Sequence, residues 1–425
     1  MPPIRFIHAA DLHLDAAFSG LSRDIPADFA ERLRTATFTA FRRLLDLCER
    51  ESPDFLLLAG DVYNQEDASV SAQLALRDGF RRLESLSIPV FLVHGNHDPL
   101  ASRLRSVRWP GNVTVFGELP DAVPVFRKGE GTPLAIIHGA SHASGRETRK
   151  LAALFRRTEA CGLHVGLLHA TPGDADGVAR YAPFSQEDLK ASGMDYWALG
   201  HIHDRREVCR EPLAAYPGCT QGLHINEPGE KGCLLVTAEA RPDGGYAVRT
   251  SFRPLGPAVW KTLDMDLGGA ASLDELENRL RTGLDRAAAE VWSGCEMLLV
   301  RLRLQGRTEL DGLLRKGTTC AELADRLRED GSGVPRIWIK DIDVATRPCV
   351  ERGALLERED LLGEVFRLSE AARTASGLQA LREGPLAPLF AHARAGKALE
   401  PLTDEELARL LDDAESLCLD LLEND

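Results

Sequence analysis

Five short apolar runs punctuate the first 200 residues: Ile4 to Ala10, Phe55 to Ala59, Val90 to Val93, Val165 to Leu168 and Tyr196 to Leu199. Each has the length of a buried strand. Between them, Pro26 to Arg50 and Val70 to Leu86 repeat apolar residues at helical spacing, which predicts one helix for each stretch. A further strand near Leu134 to Gly139 precedes a predicted helix from Arg146 to Ala160. This strand–helix alternation predicts an α/β domain. From Glu207 the pattern changes to short strands and turns: Leu213 to Tyr216, Gly232 to Ala238 and Tyr246 to Phe252, with Arg241-Pro242-Asp243-Gly244-Gly245 as a hairpin turn. The second set fits a second sheet packed on the first, so residues 1–252 are expected to form a four-layer α/β/β/α sandwich.

Phe252 to Pro257, with Pro254 and Pro257, reads as a linker. Strands over Val259 to Leu267 and Met297 to Leu304 then flank a helix from Leu273 to Ala289, and Ile337 to Val344 adds a third strand. Residues 258–346 are therefore expected to form a small α/β cap. Residues 351–425 are helical in pattern. Leu361, Leu362, Val365, Phe366 and Leu368 make one apolar stripe; Leu407, Leu410, Leu411, Leu417, Leu419, Leu421 and Leu422 make another. These stripes fit either docking on a partner or an intramolecular hairpin covering the cap.

A chain of 425 residues suggests two or three domains. No apolar run approaches the roughly 20 residues that span a membrane. The chain enters its first strand with no leader pattern, and its nine cysteines are scattered without a Cys-x-x-Cys. Reduced thiols in a cytoplasmic protein are the expectation. The net charge of −14 is unfavourable for binding a polyanion, but the tail from Glu351 holds 17 acidic and 8 basic residues and so accounts for −9 of it. Basic groups gather at Arg146, Arg149, Lys150, Arg156 and Arg157, and at Arg205 with Arg206. Of these, Arg149, Lys150, Arg205 and Arg206 are the candidates for DNA contact; a solvated helix face accounts for Arg149 to Arg157 equally well. Arg301 and Arg303 share a strand face, where phosphate contact and edge-strand solubility are the alternatives.

The chemistry sits at the ends of the five apolar runs. They are followed or ended by Asp11-Leu12-His13, Gly60-Asp61, Gly95-Asn96-His97-Asp98, His169 and Gly200-His201-Ile202-His203. Any one of these is common by chance; all five, in this order and at strand ends, would converge on one crevice. If its segment is extended, Asp11 and His13 point the same way. His201 and His203 do the same, or diverge toward different ions if the backbone curls. Asp61 has two oxygens with which to bridge. So many nitrogen and oxygen donors exceed the need of one ion and imply two. The set contains no thiolate, which favours Mn, Fe or Zn over Ca or Mg.

This ordered set resembles the calcineurin-like metallophosphoesterases. Ala10 to Leu14, Gly60-Asp61-Val62-Tyr63 and Gly200 to His203 look like the double-strand-break repair nucleases, and among them the chain is similar to the SbcD-type exonucleases. Tyr216-Pro217-Gly218-Cys219, Gln221-Gly222 and Asn226 to Gly232 add to the likeness, which covers about residues 4 to 252. The resemblance implies a first metal on Asp11, His13, Asp61 and His203, and a second on Asp61, Asn96, His169 and His201. It implies His97 as the catalytic group at the leaving oxygen, with Asp98 behind it as a structural or orienting group. Where many members carry an acid or histidine three residues after the Gly-Asp carboxylate, this chain has Asn64, which can hydrogen-bond an imidazole but supplies no charge to tune His97.

Two divalent cations, Mn²⁺ before Fe or Zn, would activate water and offset charge developing at phosphorus, with no covalent intermediate. The expected function is a metal-dependent DNA exonuclease in repair. The resemblance further implies DNA, a coiled-coil ATPase of the SMC/ABC type and a second copy of the chain as partners. The alternative is a phosphoesterase for a nucleotide, cyclic nucleotide or other small phosphodiester.

Overall fold

The chain runs from β1 (Ile4–Ala9) through α1 (Ala27–Arg34) and α2 (Ala36–Glu51) to β2 (Phe55–Ala59), then through α3 (Val70–Ser85) to β3 (Val90–Val93). It continues with β4 (Val113–Val115), β5 (Asp121–Val125), β6 (Ala135–Ala140), a 3₁₀ turn (Leu151–Leu154), β7 (Leu163–His169), α4 (Gln186–Ala191) and β8 (Tyr196–Gly200). Four strands close this part: β9 (Arg206–Arg210), β10 (Leu213–Tyr216), β11 (Gly232–Ala240) and β12 (Tyr246–Pro254). The computed structural model describes residues 2–21, 25–63, 69–101, 107–173, 181–242, 244–329, 333–349, 352–392 and 402–422.

One six-stranded sheet has the order β12-β11-β1-β2-β3-β4, and a second has the order β5-β6-β7-β8-β10-β9. β1 to β4 are parallel in the first, and β6, β7 and β8 are parallel in the second. Period-two alternation explains why the strands read as apolar throughout. Phe6, Phe55, Leu57 and Phe91 face the second sheet's Ile137, Val165, Leu167 and Tyr196. Ile7, Leu56, Leu58 and Leu92 face the opposite way, onto Leu44 and Leu45 of α2 and Leu76 and Phe80 of α3. On the far side, Leu168, Trp197 and Leu199 pack with Leu151, Phe155 and Leu189. The result is the expected α/β/β/α sandwich, but the strands divide differently from expectation: β11 and β12 join the first sheet beside β1, and β6, β7 and β8 sit with β9 and β10 in the second. A polar residue also bonds across the middle of the sandwich. His8 of β1 meets the Tyr196 hydroxyl through Nδ1 at 2.9 Å and the Leu199 carbonyl through Nε2 at 3.1 Å, both on β8.

Two predicted helices differ. The stretch from Pro26 to Arg50 is broken at Thr35, whose hydroxyl donates back to the Glu31 carbonyl. α1 and α2 serve different cores: Phe29 and Leu33 of α1 pack on Trp260, Met297 and Trp338, whereas α2 packs on the first sheet. The predicted helix from Arg146 to Ala160 is only the 3₁₀ turn. The buried Glu147 carboxylate takes the amides of Ala143 and Arg149, offering the backbone an alternative to helical bonding. Asn64 lies outside the described residues.

The remaining elements are β13 (Ala258–Asp266), α5 (Leu273–Glu290), β14 (Met297–Thr308), α6 (Asp311–Leu314), α7 (Thr319–Glu329) and β15 (Arg336–Pro348). They build a three-stranded sheet of order β13-β14-β15. α5 starts on Ser272, whose hydroxyl accepts from the Glu275 amide, with Asp274 and Glu275 in the first turn. β14 is the central strand, which removes the edge-strand explanation of Arg301 and Arg303. Instead Arg301 pairs in bidentate fashion with Asp341 at 2.6 and 2.8 Å, and Arg303 lies 3.5 Å from Asp343.

The chain divides into two compact units: Met1–Leu267, Ser272–Gln305 and Leu313–Ala345 in one; Gly268–Ala271, Gly306–Gly312 and Thr346–Asp425 in the other. The second is mainly α8 (Arg352–Leu356), α9 (Leu361–Ala372), α10 (Ala375–Glu383), α11 (Ala387–Ala391) and α12 (Asp404–Leu422). Leu355, Leu362, Phe366 and Leu419 form its core, so the two leucine stripes partly satisfy each other. Leu361 and Leu368 of α9 and Leu410, Leu417 and Leu421 of α12 stay exposed. Among the described residues no helix is long and apolar enough to cross a membrane.

Candidate metal centre

All five motifs lie where parallel strands end: after β1, β2 and β3 in the first sheet, and at the ends of β7 and β8 in the second. The loops after β1 and β2 are zipped together. The amides of Asp11, His13 and Leu14 donate to the carbonyls of Gly60, Asp61 and Val62 at 3.1, 3.1 and 3.0 Å. That contact bends the Asp-x-His segment out of the extended form expected for it: Asp11 has φ 50° and His13 φ 41°. Asp61 at φ 50° and His201 at φ 107° share the left-handed region. Such backbone costs of order 1–3 kcal/mol per residue and persists only where its surroundings enforce it.

Side chains from these bends gather in two adjoining groups. Asp11, His13 and His203 bring donor atoms within 4.8 Å of one another, as do Asp61, His169 and His201. The curl at His201 sends its ring away from that of His203, so the Gly-His-x-His pair is split between the groups. Asp61 joins them: its Oδ2 is 3.3 Å from His169 Nε2 and 4.0 Å from His13 Nε2. Asn96 Oδ1 sits 3.0 Å from His169 Nε2 and 3.1 Å from His201 Nδ1. The glycines of the motifs permit this crowding. A Cβ on Gly95 would lie 2.2 Å from Asp61 Oδ1, and one on Gly200 would lie 1.8 Å from the Ala59 carbonyl oxygen.

His97 and Asp98 part company. The His97 ring is exposed and lies 5.1 Å from the His13 ring, and its amide donates to Asp61 Oδ1 at 2.9 Å. Asp98 is buried. Its carboxylate accepts the amides of Gly95 at 2.7 Å, Val62 at 3.0 Å and Asp61 at 3.3 Å. Among the described residues it makes no hydrogen bond to the His97 ring. Asp98 thus ties together the loops after β2 and β3.

Electrostatics test whether this set suits cations. Burial pushes the Asp11 carboxyl up, against the pull of His169 and His203. Burial acts the same way on Asp61, but His169, His13 and His97 outweigh it and hold that carboxyl well below the usual range. Burial would lower His169, yet the Asp61 charge and hydrogen bond raise it to about 9. Burial depresses His13, and it carries His201 to about 3 with His169 adding to the effect. The cluster therefore draws positive charge into a water-poor crevice and leaves uncharged imidazoles beside it. His13 Nε2 and His203 Nε2 face each other at 3.1 Å, and His201 Nε2 is buried with no partner among the described residues. Donors so arranged fit divalent ions.

Two residues near the centre have no signal in the motif spacing. Glu227, 24 positions beyond His203, accepts from His203 Nδ1 at 2.5 Å. His142, buried, donates from Nε2 to the His169 carbonyl at 2.6 Å. Cys219 also lies beside His203 and Glu227.

The four candidate DNA-contacting residues stand differently. Arg149 is held by Glu147 in a two-point pair at 2.8 and 2.6 Å, which neutralises its charge. Lys150 is exposed, the Arg205 guanidinium lies over the Phe252 ring at 4.0 Å, and that of Arg206 lies 5.6 Å from the Tyr216 ring.

The same chain matches known proteins along most of its length. Residues 4–205 match the family model for calcineurin-like phosphoesterases, and residues 260–347 match that for the middle domain of metallophosphoesterase YhaO. Over 388 residues it is 34% identical to the uncharacterized metallophosphoesterase YhaO of Bacillus subtilis, spanning 90% of this chain and 91% of that protein. The chain belongs to the calcineurin-like metallophosphoesterase superfamily. This metallophosphoesterase is also 27% identical over 319 residues to the DNA double-strand break repair protein Mre11 of Aeropyrum pernix, spanning 68% of this chain and 69% of that one. The family uses dinuclear divalent metal sites and hydrolyses phosphoesters, and the two adjoining donor groups are the candidate ligands here.

Proposed function

We propose that this metallophosphoesterase is a two-metal DNA nuclease acting at DNA ends in repair, with Mn²⁺ as its metal. The observation that carries the chemistry is Asp61, whose one oxygen faces both donor groups. Asp11, His13, Asp61 and His203 would hold one ion, and Asp61, Asn96, His169 and His201 the other. Bound there, the ions supply Lewis acidity toward a phosphoryl oxygen and lower the pKa of water.

The chain's own residues do the rest. The zipped loops after β1 and β2 fix the donors before substrate arrives. The His97 ring, exposed beside His13, can hydrogen-bond the leaving oxygen and give it a proton. Arg205 and Arg206 follow the His203 ligand closely and offer exposed guanidinium groups to a phosphate backbone. The similarity to Mre11 supports DNA over a small phosphodiester, as does the cap, which packs on α1 beside the sandwich. The exposed leucines of the tail support assembly with a coiled-coil ATPase.

Labelled duplex and single-stranded DNA incubated with Mn²⁺ should be degraded, and EDTA should stop it. Cleavage that survives metal removal would overturn the mechanism. Intact DNA alongside hydrolysed cyclic or mononucleotides would overturn the substrate and leave the centre.

A further inference from the structure

We infer that Glu227 is the positioning residue that fixes His203 as an Nε2 donor to the first metal site. The inference rests on the two-metal reading.

An imidazole can offer either nitrogen, and a metal needs the one that bears no proton. Glu227 settles the choice at His203. Its Oε1 accepts from Nδ1 at 2.5 Å, so the proton sits there and the Nε2 lone pair faces His13 Nε2 at 3.1 Å. The other oxygen is also engaged: Oε2 accepts the Leu223 amide at 2.6 Å. With both oxygens committed, the carboxylate holds the ring and does not itself turn toward the ion.

His169, by contrast, is fixed by burial and backbone. The His169 side chain is fully buried, and its Nδ1 donates to the Ala59 carbonyl at 2.9 Å. His203 is 32% exposed and lacks such a clamp, so an orienting carboxylate matters most there. Its backbone is held as well: Lys231 Nζ donates to the His203 carbonyl at 3.1 Å.

The loop carrying Glu227 arrives already shaped. Gln221 bonds both the amide and the carbonyl of Ala258, at 3.1 and 2.8 Å. Trp260 Nε1 donates to the Gly222 carbonyl at 3.1 Å, and the Gly229 amide donates to the Trp260 carbonyl at 2.9 Å. The loop is thus tied to β13 on either side of Glu227. Hydrogen bonds of this kind behind a metal-binding histidine typically account for about 10–100-fold in metal affinity.

The test is calorimetric titration of metal-stripped protein with Mn²⁺, alongside melting of the stripped proteins. Wild type should take up two ions. Glu227→Ala should weaken one of them about 10–100-fold and spare the other. Glu227→Gln, whose amide oxygen can still accept from Nδ1, should keep most of that affinity and should melt like wild type. In a His203→Ala background, Glu227→Ala should add no further loss. Wild-type affinity for both ions in Glu227→Ala, whatever its melting temperature, overturns the assignment, and so does a full additional loss in the His203→Ala background. Failure of wild type itself to bind two ions overturns the two-metal reading, and this assignment with it.

Discussion

Asp61 and His97 divide the work of the centre at the scale of single residues. Asp61 spends one oxygen on the His97 amide and turns the other to both donor groups, whereas the His97 ring lies beside the centre, 5.1 Å from the His13 ring. Asp61→Ala should therefore lose tight binding of both ions. His97→Ala should keep metal content near wild type while turnover falls about 10²–10⁴-fold, the usual contribution of a general acid. Metal analysis of the two purified variants checks this, and equal metal loss in both would place His97 among the ligands. The donor types themselves are visible in the chain, because Asp, Asn and His at strand ends have few purely structural reasons to recur five times. Their backbone is not. The left-handed φ of Asp11, His13, Asp61 and His201 arises from contacts between loops about 50 residues apart or more, which no local pattern encodes. Glu227 lies in the Asn226 to Gly232 segment that resembles the repair nucleases, but its contact with His203 is hidden for the same reason, since the partner is distant in sequence.

At the scale of elements, the two sheets are joined by apolar faces and by histidines that bond across them, His8 in the middle and His169 at the strand ends. Burial carries His8 down to about 3, and burial with the adjoining His164 brings His138 to about 4. Both therefore stay neutral in the folded protein where the unfolded chain, with an ordinary value near 6.5, binds a proton. The sign follows: stability is fully present above about 6.5 and declines as pH falls toward about 4, by about 1.4 kcal/mol per pH unit for each proton that only the unfolded chain accepts. Denaturant unfolding across this range should show the decline, and His8→Phe should make it shallower by up to one proton. Identical slopes would mean that His8 is not held neutral. Strands and amphipathic helices of this layer were legible because their burial follows periods of two and 3.6. The break at Thr35 and the loss of the helix after Arg146 were not, since each depends on which core a helix serves or on one buried carboxylate, Glu147.

For the whole molecule, the charge and the leucines of the tail point the same way. Its −9 balance repels phosphate, and the proposal is that it docks on protein rather than DNA. The sequence shows both stripes but not how they divide. Leu362, Phe366 and Leu419 close on each other inside the second unit, while Leu410, Leu417 and Leu421, seven and four residues apart, leave one face of α12 uncovered. A helix face of this kind matches the apolar seam of a coiled coil. Replacing those three leucines by serine should leave the unit folded, because its core residues are untouched, and should weaken or abolish binding to the coiled-coil ATPase. Removing residues 351–425 should do the same while sparing hydrolysis of a small chromogenic phosphodiester, since every donor lies before residue 204. DNA affinity of the truncated chain should hold steady or rise with the loss of negative charge. If the tail served only to complete the fold of this chain, the truncated protein would aggregate and the serine variant would bind the ATPase like wild type. A serine variant that is folded, active and fully competent for the ATPase would overturn docking through α12.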